Sequence, residues 1–552
     1  MDAACDATVA LLAERLQTGM DLPGALSGVI ALAAASPGHA ARLLEGDACR
    51  LAVSAILRSR VNAGGGGARP LQRWKIQAHA CSALAALARG AHPAQQAPLR
   101  IVREGGAPAV AEVMSDHPRN RKLQRNGCAA LGGMARGMNN AAVREALAEA
   151  DAPRLVTSAL ALHASDGGVV AAALGAVAQL CSAAAGEHAR AQAIELVAAG
   201  LVEDILAALT AHEAAARVQC VGCAALAALT EGAGGEGALP AAASRRVAGA
   251  LCAALRAHGA SRTVLRDVGR AAAALARSAE GALALIEIGT ADILAAALAA
   301  TALDLGDGAV LTNGCRALAA VAEYAPGGWR PSAPLCALAL GTAHHAFAAA
   351  GGDAAALLGY ALRLLATSAE WCAAAPAHEQ HAVASVVAEL VARGGAVHIA
   401  AAALDYASGP RARLLSAQAK RKIRRDGCRA LGSLLSVGGA AAQEQLLQCG
   451  DLGFDVPRAL AVAVADSRRE HAVVIAAARC VAVVAAVAPA AARALCGAND
   501  AGTDAGAGGS TGGNKGQPPC VVLGLVHAMA IHPESRILQA CACGALGALV
   551  SR

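Results

Sequence analysis

The sequence predicts an all-α fold, a right-handed α-solenoid superhelix of about ten stacked repeats. Three observations carry that prediction. A helical motif recurs along the chain, its copies fall at a near-constant interval, and the composition suits many thin layers. Of 552 residues, 56% are hydrophobic, 16% are charged, and Phe, Tyr and Trp together make up 1%. So apolar a chain has ample surface to bury and is not broadly disordered. It is also too long for one core, which stops growing near ~250–300 residues. Three Trp, three Tyr and two Phe cannot build a base-stacking platform, a β-sandwich core or an aromatic belt at a membrane.

The motif reads Gln-x-x-Gly/Ala-Cys-x-Ala-Leu-x-x-Leu/Met. Gln77, Cys81, Leu84 and Leu87 fit it, as do Gln124, Cys128, Leu131 and Met134. Gln219, Cys223, Leu226 and Leu229 repeat it, and so do Gln539, Cys543, Leu546 and Leu549. The copies at Cys315 and Cys428 keep the core but place Leu311 and Arg424 where the Gln stood. Weaker copies centre on Leu26–Val29–Leu32, Ala171, Gly269, Gly359 and Cys480. From position 81 the centres fall at 128, 171, 223, 269, 315 and 359, at gaps of 47, 43, 52, 46, 46 and 44. Later gaps of 69, 52 and 63 are stretched by insertions. An interval of ~40–47 residues is that of armadillo and HEAT arrays. Upstream of the good copies, 101–114, 196–209 and 285–298 each read as a short apolar helix end, a Gly turn and an amphipathic helix. A short helix, a turn, a helix and then the long Cys helix is the armadillo order rather than the two-helix one.

Two stretches bound no domain, because copies resume after each. Residues 62–69 are a Gly-rich connection without the Lys-Ser/Thr of a P-loop, and 497–519 are a flexible insertion rich in Gly, Ala and Thr. The reading is one solenoid over 1–552. The apolar run Val473–Ala492 carries Arg479 and reads as a buried core helix. The last Cys helix ends at Val550 without a polar capping repeat, so either the chain continues or that end packs on another chain.

On each Cys helix, positions −5, −1, +2, +3 and +6 from the Cys share one face. In the second copy these are Leu123, Gly127, Ala130, Leu131 and Met134, predicted as core, with small residues that let helices approach closely. The Cys residues border that face and are expected to be buried, reduced thiols.

Segments 113–135 and 528–550 resemble the armadillo region of leucine-rich-repeat kinases: Met, then His-Pro, then Gln, then Cys-x-Ala-Leu. The resemblance implies armadillo-like repeats whose third helices line a concave groove. No Gly-rich kinase loop, catalytic loop or nucleotide-binding domain accompanies it, so kinase activity is not expected. Armadillo proteins usually hold an Asn at +5 that binds the main chain of an extended peptide. Here that position holds Ala86, Gly133, Ala228, Ala320, Ser433 and Ala548. The groove is therefore expected to suit a helix or a folded partner.

The groove-facing stripe, −6, −2, +1, +5 and +8, supplies the candidate partner-binding residues: Lys75, Arg89, Lys122, Asn126, Arg136, Arg217, Arg316, Lys422 and Arg429. Their charge favours an acidic protein partner through steering. A second candidate is the basic cluster Arg411, Arg413, Lys420, Arg421, Lys422, Arg424 and Arg425, which reads as an import signal, an anionic-surface patch or a partner site. The expected function is a non-catalytic interaction scaffold or adaptor; the alternative is a transport or anionic-surface adaptor using 411–425.

No cofactor, metal or small-molecule substrate is expected. Cys220-x-x-Cys223 lacks a second pair, Cys541 and Cys543 point apart on one helix, and His378 and His381 lack the spacing of a zinc protease. A net charge of +6 over this length does not call for nucleic acid. Asp2 and Asp6 at the front, with no basic n-region, argue against a signal peptide, and no run reads as a transmembrane segment. The expected location is cytoplasmic, with the nucleus as the alternative.

Overall fold

The structure, a computed structural model, describes residues 2–61, 70–90, 96–137, 139–182, 186–233, 239–305, 307–324, 329, 332–348, 352–374, 395–408, 412–413, 415–496 and 520–550. The connection 62–69, the insertion 497–519, Arg411, His378 and His381 lie outside the described residues. Every regular element among the described residues is a helix or a single 3₁₀ turn, and none is a strand. No single described helix is long and apolar enough to cross a membrane.

The chain divides into two compact units, residues 1–284 and 285–552. The motif copies all fall on helices: α1 (Leu22–Ala35), α2 (Pro70–Gly90), α3 (Arg121–Ala135), α4 (Gly167–Leu180), α5 (Ala216–Ala233) and α6 (Arg262–Leu275) in the first unit. The second holds α7 (Gly308–Tyr324), α8 (Gly352–Ala374), α9 (Ala417–Val437), α10 (His471–Val487) and α11 (Arg536–Val550). Within each unit every motif helix packs on the one before it, so each unit is an all-α solenoid.

Three-helix repeats are common, as in Ala97–Arg103, Gly106–Asp116 and α3, or Gly439–Asp451, Val456–Asp466 and α10. The Gly turn between the first two helices is real: Gly105, Gly200 and Gly289 have φ of 78°, 85° and 77°, a region that favours glycine. Asp151 takes the same place at φ 49°. Two repeats depart from the expected order: among the described residues, α6 and α8 each have a single partner helix, Ala241–His258 and Ala333–Ala348 respectively. Helix Ala396–Ser408 precedes α9, and residues 375–394 before it lie outside the described residues. The run 473–492 also departs. Helix α10 stops at Val487, Ala488 is extended, and Pro489 opens a new short helix, because proline disfavours helix in the residue before it.

The motif residues each have a physical task. Leu123, Gly127, Ala130, Leu131 and Met134 are all buried, as the helical spacing predicts. The −1 glycine faces the second helix of its own repeat. A Cβ on Gly127, Gly222 or Gly314 would lie 2.5, 2.5 or 2.3 Å from Met114, Leu209 or Leu298. Glycine also permits contact between repeats: a Cβ on Gly132 would lie 2.9 Å from the Cα of Ala176 on α4.

The Gln closes the end of the second helix. Gln124 Nε2 donates to the carbonyls of Met114 and His117 at 2.7 and 3.1 Å. Gln219 does the same to Leu209 and His212, and Gln539 to Met529 and His532. These carbonyls are the unpaired acceptors that every helix end leaves. Histidines then tie repeat to repeat. His163, His212 and His258 each place Nε2 2.8 Å from the carbonyl of Pro118, Ala164 or Glu213 in the preceding repeat. A carbonyl only accepts, so Nε2 carries the proton.

The motif cysteines of the preceding repeats are sealed in, whereas Cys543 on α11 is exposed, which corrects the expectation that it is buried. Burial pushes the thiols of Cys81, Cys128, Cys315 and Cys428 up to about 12, so they stay protonated and unreactive.

Candidate binding grooves of the two units

In the first unit the stripe opposite the core alternates between buried and solvent-facing positions. Lys75, Arg89, Lys122, Arg136 and Arg217 all reach solvent. Asn126 does not. It is buried, and its Nδ2 donates to the carbonyl of Ala78 on α2 at 2.7 Å. The expectation that Asn126 contacts a partner is therefore corrected: position −2 faces the neighbouring motif helix, where a short amide satisfies a backbone carbonyl. Asp267 fills the same place on α6. It is buried, accepts from Cys220 on α5 at 3.0 Å, and is paired with Arg266. That contact occupies one member of the Cys220-x-x-Cys223 pair, while Cys223 is buried.

Arg89, Arg136 and Arg217 pair with no acidic side chain among the described residues, whereas other arginines of this unit do: Arg60 with Glu112 and Asp116, Arg246 with Glu203, Arg270 with Glu231. Arg89 ends α2, Arg136 caps α3, and Arg217 opens α5. Partial burial, then the charges of Arg217 and Arg136, hold the Arg89 guanidinium below its ordinary range. Beside Arg136 lies a cleft of about 400 Å³, lined by Ala88, Pro98, Leu99, Asn139 and Val143 among others. Asn139 and the Pro98 segment lie outside the motif helix, and no feature of the motif pointed to them.

The second unit uses the same stripe differently. A cleft of about 720 Å³ runs along α9 and α10, with Arg429, Ser433 and Ser436 at +1, +5 and +8 on one wall and Ile475, Arg479 and Val483 on the other. Its charges on α8 and α9 are already matched, while Arg479 on α10 donates to Cys541 at 3.4 Å. Arg429 makes a two-pronged bond to Glu370 on α8 at 3.0 and 2.7 Å. Arg425 grips Asp426 at 2.8 and 3.1 Å, and this bond raises its guanidinium above the ordinary range. Arg363 on α8 bridges Glu323 and the buried Asp426. Three arginines thus meet three carboxylates across three helices. Arg316 and Lys422 are half-buried, and neither lines this cleft.

The basic cluster is corrected in the same way. Arg424 is buried in the Gln position of its repeat; its Nε donates to the carbonyl of Ala407 at 3.2 Å and its other arm to Asp466 at 3.0 Å. Arg421 pairs with Glu470, and Arg425 with Asp426. Acids of the next repeat offset the cations that begin α9. Arg413, Lys420 and Lys422 remain at least partly open to solvent.

No protein-family model matches this sequence, and no curated protein matches it. Solved structures do match in fold. A chain from a structure described as a conserved phosphorylation switch controlling the interaction between cadherin and β-catenin superposes with a TM-score of 0.59 and 13% identity, covering 99% of this chain and 97% of its own. SYS-1 aligns at a TM-score of 0.45 and 9% identity, over 99% of this chain and 85% of its own. A designed armadillo repeat protein in complex with a (KR)4 peptide aligns at 0.30 and 16%, over 56% of this chain and 98% of its own. The fold is an all-α solenoid of armadillo type.

Proposed function

We propose that this protein is a non-catalytic interaction scaffold or adaptor, and that the groove of its first unit receives an acidic protein partner. One observation carries the reading. In the first unit Lys75, Arg89, Lys122, Arg136 and Arg217, at −6 and +8 of the stripe, are open, while in the second Arg429 at +1 and the adjoining Arg363 and Arg425 are neutralised by the chain's own carboxylates. Open, unmatched cations raise the encounter rate with an acidic surface; matched ones do not. The alternative of an anionic-surface adaptor at 411–425 has less support, since three of its seven cations are spent within the fold. We further infer kinship with the armadillo region of leucine-rich-repeat kinases from the Met, His-Pro, Gln and Cys-x-Ala-Leu signature, and a cytoplasmic or nuclear location.

The test is a joint charge reversal, Lys122→Glu with Arg136→Glu, in crosslinking of the full chain in its native cell. Both side chains are exposed, so folding should be unchanged by circular dichroism. Partners crosslinked to the first unit should fall by at least tenfold. Undiminished crosslinking would reject this groove as the binding surface.

A further inference from the structure

The last repeat lacks the short turn that joins the first two helices in several others. We propose that Cys496 and Cys520 form a reversible disulfide that closes this turn under oxidising conditions. The observations behind it are separate from the groove reading above, and neither depends on the other.

Elsewhere in the chain one residue ends the first helix and the next residue caps the second. Glu104 ends Ala97–Arg103 and Gly105 caps Gly106–Asp116. Ala199 and Gly200 do the same between Glu187–Ala198 and Leu201–Ala211. Consecutive Cα atoms are about 3.8 Å apart, so a peptide bond alone closes such a turn. In the last repeat the same two places are held by Cys496, which ends Pro489–Leu495, and Cys520, which caps Val521–Ile531. Cys496 keeps the backbone of the other end residues, with φ −77° and ψ −5° beside −81° and 6° for Glu104. Residues 497–519 now stand between the two places in the sequence. The places still meet: Sγ of Cys520 lies 3.8 Å from the carbonyl oxygen of Cys496. That oxygen is two bonds from the Cα of Cys496, which puts the sulfur within about 6 Å of that Cα.

Both thiols are accessible. Cys496 is exposed and Cys520 is half-buried, whereas most cysteines among the described residues are buried. Of the others that reach solvent, Cys220 is bonded to Asp267 and Cys541 to Arg479, which leaves Cys543 on α11 as the competitor. A disulfide holds its Cα atoms roughly 4.4–6.8 Å apart. Rotation of the exposed Cys496 side chain, with a small shift of either helix end, meets that requirement. The oxidant is a small disulfide such as oxidised glutathione. The Cys496 thiolate attacks one of its sulfurs, the sulfur–sulfur bond breaks and one thiolate leaves. The Cys520 thiolate then attacks the Cys496 sulfur and displaces the second. Two protein thiols give up two protons and two electrons, and the small disulfide takes them up as two thiols. Excess glutathione reverses both steps, as expected for an exposed bond. The link fixes the start of Val521–Ile531, on which α11 packs. It restores by cross-link the closure that other repeats have from the peptide bond.

The experiment uses the full chain, reduced, equilibrated with mixtures of reduced and oxidised glutathione, quenched in acid and alkylated. Trypsin cuts after Arg493, Lys515 and Arg536, which puts Cys496 and Cys520 on separate peptides, 494–515 and 516–536. Without reductant the two should appear as one species, two hydrogens lighter than their sum, that reduction separates. By the glutathione ratio at half-oxidation, the native chain should form the link at least tenfold more readily than the chain in urea. Amide exchange over 521–531 should slow at least fivefold on oxidation. Cys496→Ser and Cys520→Ser should each abolish that change, and Cys543→Ser should retain it. Glutathione held singly on either cysteine, or a link to peptide 537–552, which carries Cys541 and Cys543, would overturn the pairing. Equal formation in urea would overturn the claim that the fold brings the two together. A link that leaves exchange unchanged would overturn its role in closing the turn.

Discussion

At the scale of single residues, the repeat is held by a few polar groups with fixed tasks. Gln219 is buried and closes two carbonyls at the end of the preceding helix. Gln219→Ala would leave both acceptors without a donor away from water. The cost should be about 1–3 kcal/mol, read from denaturant unfolding. Arg424→Gln offers the contrast. The amide can still meet the carbonyl of Ala407, and the partner that is lost, Asp466, is largely exposed, so the change should stay within about 1 kcal/mol. The sequence marks these positions by recurrence but not by task. Gln124 and Gln219 stand out as repeated letters, yet their partners lie in another helix, and no spacing within the motif reveals them. Asn126 misled for the same reason. Helical periodicity puts it on the groove stripe, but the neighbouring repeat approaches so closely that position −2 is covered.

At the scale of helices, small residues decide how close the layers come. A helical glycine replaced by alanine gains about 1 kcal/mol in propensity, so the sign depends on what the new methyl meets. At Gly132 it meets the backbone of Ala176 at 2.9 Å, which cannot move without shifting α4. Overpacking of that kind costs about 1–3 kcal/mol, so Gly132→Ala should be destabilising on balance. At Gly249, in helix Ala241–His258, nothing lies within 4 Å of the added atom. Gly249→Ala should therefore stabilise by up to about 1 kcal/mol. Opposite shifts in the unfolding midpoint check the pair; equal shifts would refute the account. Much at this scale was legible beforehand. The motif interval and the Gly turns place the long helices and most of their partners, because both follow from local chemistry. The repeats with a single partner helix were not legible, since an apolar, Ala-rich stretch such as 241–258 reads the same whether it forms one helix or two.

At the scale of the whole chain, two solenoid units built from the same motif treat charge in opposite ways. Cations along the stripe are open in the first unit, whereas in the second Arg429 at +1 and the adjoining Arg363 and Arg425 belong to a closed network, which no composition or net charge could distinguish. The difference lies in the acids. Glu323, Glu370 and Asp426 face the arginines of their own unit, whereas no carboxylate faces Arg89, Arg136 or Arg217 among the described residues. A network of this kind should matter for folding and not for binding. Asp426 is fully buried between Arg363 and Arg425. Asp426→Asn leaves those cations short of their shared counter-charge and should cost about 3–5 kcal/mol in unfolding experiments. The same substitution should leave polyglutamate affinity unchanged below the new unfolding transition, because the open cations lie in the other unit. Reversing Lys122 and Arg136 should do the converse, abolishing the salt-sensitive part of binding while stability holds. If Asp426→Asn weakened binding as much as it weakened folding, the two units would not divide the work in this way, and the second cleft would have to be counted as part of the acidic-partner surface.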